Sequence, residues 1–349
     1  MILIQVNFKT FRKSYYLDKA NKHFSSLDLF RAIAGYGVAV CHFYYYIFDK
    51  LNFQFYSLFF VEFFFVLSGF VLYPQLIKVH ENKNNLKIFF MRRWLRTIPL
   101  YILALFCYSI LFSKFDLDTV KYLFFIQKIT NNFLTNDYFS VAWSLSVEEI
   151  FYIIFPIFLI IFNKKNFVQI IFVFLSLVYI LKILYILFGN VDNEFFRVGT
   201  FIRLDAIAFG LIIRKYFFQL NKINLHIFSS IIIIFLLNFM KELSLLNKYE
   251  IFVFIIIIQL FSVNIISIFI FLNRFIEKDF IKNIFSLLSK QTYAVYLFHF
   301  FPIYYLKNVN LLTNTFFMFS MYLISLFCIS TLSYYLFEKP ILIKRPNYR

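Results

Sequence analysis

The stretch FYSLFFVEFFFVLSGFVLYPQLI, residues 55–77, has one charged residue, Glu62, in 23 positions. A helix needs about 20 apolar residues to cross the hydrocarbon core of a bilayer. The stretch does not alternate, so it does not read as one of the ~10-residue strands of a membrane barrel. In the bilayer core a backbone must satisfy its own N–H and C=O groups, which a helix does and an open strand does not. The strand-prone Phe, Ile and Tyr are therefore no sign of sheet. Outward from this run, similar segments give predicted spans at 28–48, 55–77, 93–113, 144–162, 167–188, 200–217, 225–241, 250–272, 291–307 and 314–337. The predicted fold class is an all-α polytopic membrane protein with about ten transmembrane helices.

Composition agrees. The chain is 62% hydrophobic, with 56 Phe and 25 Tyr, and its mean hydropathy is +0.76. Soluble domains hold roughly 45–50% apolar residues. The net charge of +17 resembles a nucleic-acid signal, but its Lys and Arg fall between apolar runs, so no nucleic-acid partner is expected. With the N-terminus in the cytosol, Lys9, Arg12, Lys13, Lys19 and Lys22 lie inside. The even-numbered loops then also lie inside, with Lys78, Lys83, Lys87 and Arg92, Lys164 and Lys165, and Arg214, Lys215 and Lys222. The opposite loops carry fewer cations, offset by residues such as Asp116, Asp118, Asp137 and Glu194. This bias predicts that both termini are cytosolic. The expected organisation is a basic cytosolic segment (1–26), one transmembrane domain (27–340) and a basic tail (341–349), with no repeat, second domain or cleavable signal peptide. Cys41, Cys107 and Cys328 lie in apolar runs without metal-ligand spacing and read as packing residues. No metal is predicted.

Ionisable groups inside spans are costly and mark candidate function. Arg31 and His42 are eleven residues apart, so they share a helix face, about 20° and about 16 Å apart. Arg31 reads as a snorkelling anchor or a ligand for an anion, and His42 as an interhelical hydrogen-bond partner or a base. Glu62, at a similar predicted depth, is expected beside His42, where it would orient the imidazole. Ser68-Gly69 permits close approach of a helix or a ligand, with helix packing the stronger reading. Arg92, Arg93 and Arg96 cluster at one helix end, and their planar forks suit phosphate. Glu148 and Glu149 are adjacent at the predicted outer end of a span and point about 100° apart. Trp143 reads first as an interfacial anchor. Arg203 and Asp205 begin another span, and His299 reads as structural. The loop 113–142, with Thr130, Asn131, Asn132, Thr135, Asn136 and Asp137, is either an acceptor-facing surface or a solvated connector.

By predicted depth, Arg31, Arg92, Arg93 and Arg96 sort to the cytosolic end, and His42, Glu62 and Glu148 to the outer half. An acyl-CoA has that shape, with phosphates at one end and a thioester on a long arm. On this expectation one path joins Arg31 to His42, and His42 acts as general base on an attacking hydroxyl. A secondary transporter of a small anionic substrate is the alternative, although no internal repeat supports it.

These segments resemble the acyltransferase 3 family over most of the chain. Arg31-x10-His42, Phe64-Phe65-Val66-Leu67-Ser68-Gly69-Phe70 and Arg92-Arg93-x-x-Arg96 match family elements in order. So do Trp143-Ser144-Leu145-Ser146-Val147-Glu148-Glu149-x-Phe151-Tyr152, Thr292-Tyr293-x-x-Tyr296-Leu297-x-His299 and Glu338-x-Pro340. Glu62 stands where the family often has Asp, and Gly35 and Gly37 are expected to loosen the first helix. The resemblance implies acetyl-CoA as donor and a capsule, lipopolysaccharide O-antigen or lipid-linked sugar as acceptor, in a bacterial inner membrane. The depth and helix-face readings make His42, Glu62 and Glu148 the candidate catalytic residues, with Glu148 positioning the acceptor or sharing proton transfer, and Arg31, Arg92, Arg93, Arg96, Ser68 and Gly69 the candidate donor-binding ones. Trp143, Glu149, Arg203 and Asp205 are placed toward the acceptor. Some relatives carry a further soluble domain, which is not expected here.

Overall fold

The computed structural model describes residues 24–131, 133–189, 193–216, 223–238, 248–276, 278–308 and 314–348. Among them there are helices and no strand. The basic segment predicted at 1–26 lies outside the described residues up to position 23, as do Asn132, Lys222, residues 239–241 of one predicted span, and position 349 of the tail. The helices are α1 (Ser25–Phe48), α2 (Leu51–Glu81), α3 (Asn85–Leu111), α4 (Leu117–Leu123), α5 (Ala142–Ile161), α6 (Phe167–Phe188) and α7 (Asn193–Val198). After a 3₁₀ turn at Phe201–Arg203 come α8 (Leu204–Tyr216), α9 (Ile223–Asn238), α10 (Lys248–Leu272), α11 (Asp279–Phe298), α12 (Phe300–Asn308), α13 (Thr315–Leu332) and α14 (Lys339–Ile343). A π turn, Ser333–Glu338, joins the last two.

Among the described residues six stretches of helix are long and apolar enough to cross a membrane: Asn52–Glu81, Asn85–Leu111, Ala142–Ile161, Phe167–Phe188, Glu250–Leu272 and Thr315–Ile343. The chain is thus a helical membrane protein. The run predicted as one span at 291–307 is two helices that meet at His299.

α2 is the hub and packs along α1 and α8, with α3, α5 and α10 around it. At its crossing with α8 the backbones touch. A Cβ added at Gly69 would stand 1.9 Å from the Ile207 carbonyl oxygen, and one at Gly210 would stand 2.1 Å from that of Val66. Lipid is as apolar as Leu, so helices in a bilayer associate through such small-residue contacts. Gly35 and Gly37 do not loosen α1. A Cβ at Gly35 would meet the Thr292 methyl at 2.2 Å, and one at Gly37 the Phe60 ring at 2.5 Å. The glycines admit α11 and α2 to α1. Arg31 on α1 bonds Ser289 on α11, Gly35 faces Thr292, and His42 meets His299, so the two helices run side by side in constant register.

The described residues of 113–141 hold one another by specific bonds and are not merely a solvated connector. Asp116 caps α4 by accepting from the Asp118 and Thr119 amides. The Asp118 carboxylate accepts from Lys121 Nζ at 2.8 Å and the Thr135 and Asn136 amides at 2.9 and 2.8 Å, and also takes the Thr135 hydroxyl. Tyr122 donates to Asp137 (2.6 Å), and Gln127 to the Ala142 carbonyl (2.9 Å). Phe139, Val141 and Ala142 are buried, so α5 starts below the surface.

Burial raises the Asp118 carboxyl, but the bonds from Lys121, Thr135 and Asn136 outweigh it and hold its pKa at about 2, below the ordinary 3.8. A depressed carboxyl stabilises the folded state above its unfolded pKa and loses that effect as pH falls through its folded value. The segment should hold above pH 3.8 and loosen as pH falls toward about 2. Hydrogen exchange at the Tyr122 and Phe139 amides checks this. At pH 7 Asp118→Asn should exchange faster than wild type, and acid should bring wild type to the variant's level. Equal protection of the two proteins at pH 7 would contradict the role.

Candidate active site

Two adjoining cavities gather half of the ionisable residues predicted to act: Arg31, Arg93, Arg96 and Glu148 line one, and His42 the other. The first is lined by Arg31 from α1, Ser68 from α2, Arg93 and Arg96 from α3, Glu148 and Tyr152 from α5, and Tyr293 and Tyr296 from α11. Arg31 Nη1 donates to Ser289 Oγ (3.1 Å), and that hydroxyl donates to Asp28 Oδ1 (3.0 Å). The Glu148 carboxylate accepts from Ser68 Oγ (2.6 Å) and the Tyr152 hydroxyl (3.0 Å). Arg93 donates to Gln75 Oε1. Three guanidiniums therefore share one cavity with one carboxylate.

Four expectations change here. Glu148, expected in the outer half with His42, lines the cavity of Arg31, Arg93 and Arg96 and not that of His42. Gly69, expected to bind the donor, is covered by α8 and lines neither cavity, whereas Ser68 beside it does line the first. Arg92 turns away and donates to the Pro346 carbonyl (2.5 Å). Glu149, expected toward the acceptor, is buried and lines neither cavity.

The second cavity is lined by His42, Tyr45, Tyr46, Lys128, Asp137, Trp143, Glu194 and Arg197. Lys128 pairs with Asp137 (2.8 Å) and Arg197 with Glu194 (2.6 Å), and the Arg197 guanidinium lies 6.0 Å from the Trp143 ring. His42 Nδ1 lies 2.8 Å from His299 Nε2, and His299 Nδ1 lies 2.8 Å from the Tyr296 carbonyl oxygen. A carbonyl only accepts, so His299 Nδ1 carries a proton. In a neutral ring His299 Nε2 then accepts, and His42 Nδ1 donates to it. The chain of bonds leaves His42 Nε2 with a free lone pair, the state a general base needs.

Glu62 is not beside His42. Val66 and Gly69 face α8, and Glu62, seven residues before Gly69, lies on the same stripe of α2. Its carboxylate is paired with Arg203, both side chains being almost fully buried. Glu62 and Arg203 line a third cavity beside the second, sharing Trp143, Glu194 and Arg197 with it. Asp205, also expected toward the acceptor, lines none of these three cavities. It accepts from Lys182 Nζ (2.5 Å) and Gln259 (3.0 Å) in the interior.

Arg31 and His42 share a helix face as predicted but line two cavities instead of one path. Val61 and Tyr296 belong to both and form the common wall. The Tyr296 hydroxyl is 2.6 Å from Ser144 Oγ and donates to the Val141 carbonyl (3.2 Å). Sequence reasoning set His299 aside as structural, although Ser289 and His299 nearly repeat the Arg31–His42 spacing on a second helix. Lys128 and Arg197 were missed because nothing local marks a cation between two predicted spans as one that lines a cavity.

A helical membrane bundle with a basic cavity behind an imidazole pair has the features of a membrane-embedded group-transfer protein. The family described as an acyltransferase domain, acyltransferase 3, matches residues 24–338, and the chain belongs to it. Among curated proteins it is similar to the O-acetyltransferase OatA of Staphylococcus aureus strain NCTC 8325 / PS 47, at 28% identity over 232 residues, 59% of this chain and 36% of that protein. A putative O-acetyltransferase of S. aureus strain COL is 28% identical over 219 residues, 56% of this chain and 35% of its own length. The match thus spans little more than a third of these relatives. No solved structure matches the chain.

Proposed function

We propose that the protein is an O-acetyltransferase of the bacterial cytoplasmic membrane, moving acetyl from acetyl-CoA to a hydroxyl of a surface polysaccharide, O-antigen or lipid-linked sugar. In this reading the chain crosses the membrane about ten times, residues 27–340 form the transferase domain, and the basic segments 1–26 and 341–349 face the cytosol. Arg31, Arg93 and Arg96 hold the donor's phosphates. The aromatic and charged wall of Tyr46, Trp143, Lys128, Asp137 and Arg197 suits a sugar, with ring faces for stacking and paired charges for its hydroxyls. Val61 and Tyr296 lie between the two, and the acyl arm passes there when the Tyr296 side chain swings aside.

The chemistry is one acyl transfer. His42 Nε2 takes the proton of the acceptor hydroxyl while its oxygen bonds to the thioester carbonyl carbon. The carbon–sulfur bond then breaks, and the CoA thiolate leaves and takes up the proton that His42 holds, which returns the imidazole to its neutral form. His299 is a positioning residue that holds the His42 tautomer. Glu148 stays on the donor side, bound to Ser68 and Tyr152. The observation that carries this reading is the shared wall, with guanidiniums behind it and an imidazole in front.

The test uses purified protein in proteoliposomes, with [¹⁴C]acetyl-CoA on one face and candidate glycan fragments on the other. Label should appear on the glycan, with one CoA released per acetyl transferred. Donor crossing the bilayer with its thioester intact would instead indicate transport and end the proposal.

A further inference from the structure

The residues after α14 fold back over the arginine-bearing end of α3. Arg92 donates to the Pro346 carbonyl, and the Tyr348 hydroxyl donates to Gln75 Oε1 (3.1 Å), the oxygen that also takes Arg93. The Tyr348 ring lies 5.2 Å from the Arg92 guanidinium and 5.1 Å from Lys78 Nζ. These contacts tie down a segment that carries another guanidinium, Arg345.

Arg345 is within electrostatic reach of Arg96, Arg93 and Arg92, and of the Glu338 carboxylate, which opposes them. Burial first, then the three guanidiniums, lower its pKa to about 10. Its Nε and Nη2 are buried without a hydrogen-bond partner, as is Nε of Arg93. Buried donors without acceptors are costly, and like charges held together add to that cost. A polyanion with several oxygens, placed among these residues, relieves both. Guanidinium forks match phosphate oxygens two at a time.

We propose that Arg345 is a phosphate ligand, held by the 346–348 segment so that it joins Arg93 and Arg96 around a phosphate ester entering at this end of α3. This rests on reading the adjoining cavity as the donor site, so the phosphate is the nucleotide phosphate of the thioester donor. A phospholipid headgroup offers the same chemistry from another source.

Binding of CoA and of phosphate-free pantetheine is measured by calorimetry on the intact chain in phosphatidylcholine nanodiscs. Arg345→Ala should weaken CoA binding by roughly tenfold or more, as expected for a lost charge-assisted hydrogen bond. It should leave pantetheine binding unchanged and not lower the melting temperature, since the unpartnered buried donors go with the side chain, and Arg345→Lys should fall between in CoA affinity. Unaltered CoA affinity, or equal weakening toward both ligands, overturns the inference and leaves the transferase reading in place. An unaltered CoA affinity with less phosphatidylglycerol retained by the variant from native membranes assigns the phosphate to lipid and also overturns it. Wild-type protein that binds no CoA would fail both readings together.

Discussion

His42→Ala is expected to slow acetyl transfer by about 10²–10⁴-fold, the usual contribution of a positioned general base. CoA affinity should be unchanged, because His42 lines the cavity away from the arginines. The measurement is CoA release from acetyl-CoA by purified protein in the presence of acceptor. A variant that keeps more than a tenth of the wild-type rate would remove His42 as the base. The pairing with His299 extends the test. His299→Leu deletes the acceptor of the His42 Nδ1 proton and should lower kcat with little change in KM, the pattern of an interaction that matters in the transition state. His299→Gln keeps an acceptor at the end of the side chain and should recover some of the loss. A residue that only filled space would not show that ranking.

Arg203→Ala is expected to destabilise the protein by about 3–5 kcal/mol, because it leaves the Glu62 carboxylate buried without its counter-charge. Both partners are buried at the seam where α2 meets the start of α8, and Glu62 Oε1 already lacks a hydrogen-bond partner. Replacing both, as Glu62→Gln with Arg203→Met, should recover most of the loss, since the stranded charge is gone. Denaturant titration in detergent gives the stability, and activity per folded molecule separates this role from one in acceptor binding. A cost below about 1 kcal/mol, the range of an exposed pair, would show that the pair does not anchor this seam.

Much of the site was legible because helix geometry is local. Arg31 and His42 had to share a face at eleven-residue spacing, and both reach cavities along the centre of the bundle. Arg93 and Arg96 reach one of those cavities, as three-residue spacing on a helix allows. Partner choice was less legible. Glu62 was matched to His42 by depth alone, yet depth does not say which way a residue faces around its helix. The Gly69–Gly210 contact turned that stripe of α2 to α8 and gave Glu62 to Arg203. Glu148 was grouped with His42 by position along the span, but its bonds to Ser68 and Tyr152 set it in the cavity of the arginines, and no count along the chain reveals those partners.

The amino-acid order alone determined that this is a helical membrane protein, where its apolar runs lie, and which costly side chains share a helix face. Bilayer thickness and the 3.6-residue turn act within a single segment, so they can be read from it. The tertiary structure decided that His42 leans on His299 and not on Glu62, that Arg92 serves the 346–348 segment, and that Tyr296 and Val61 stand as a wall between the arginine-lined cavity and the one lined by His42. Those outcomes depend on which helices touch. In an apolar solvent close contacts such as Gly35 with Thr292 and Gly69 with Gly210 select the neighbours.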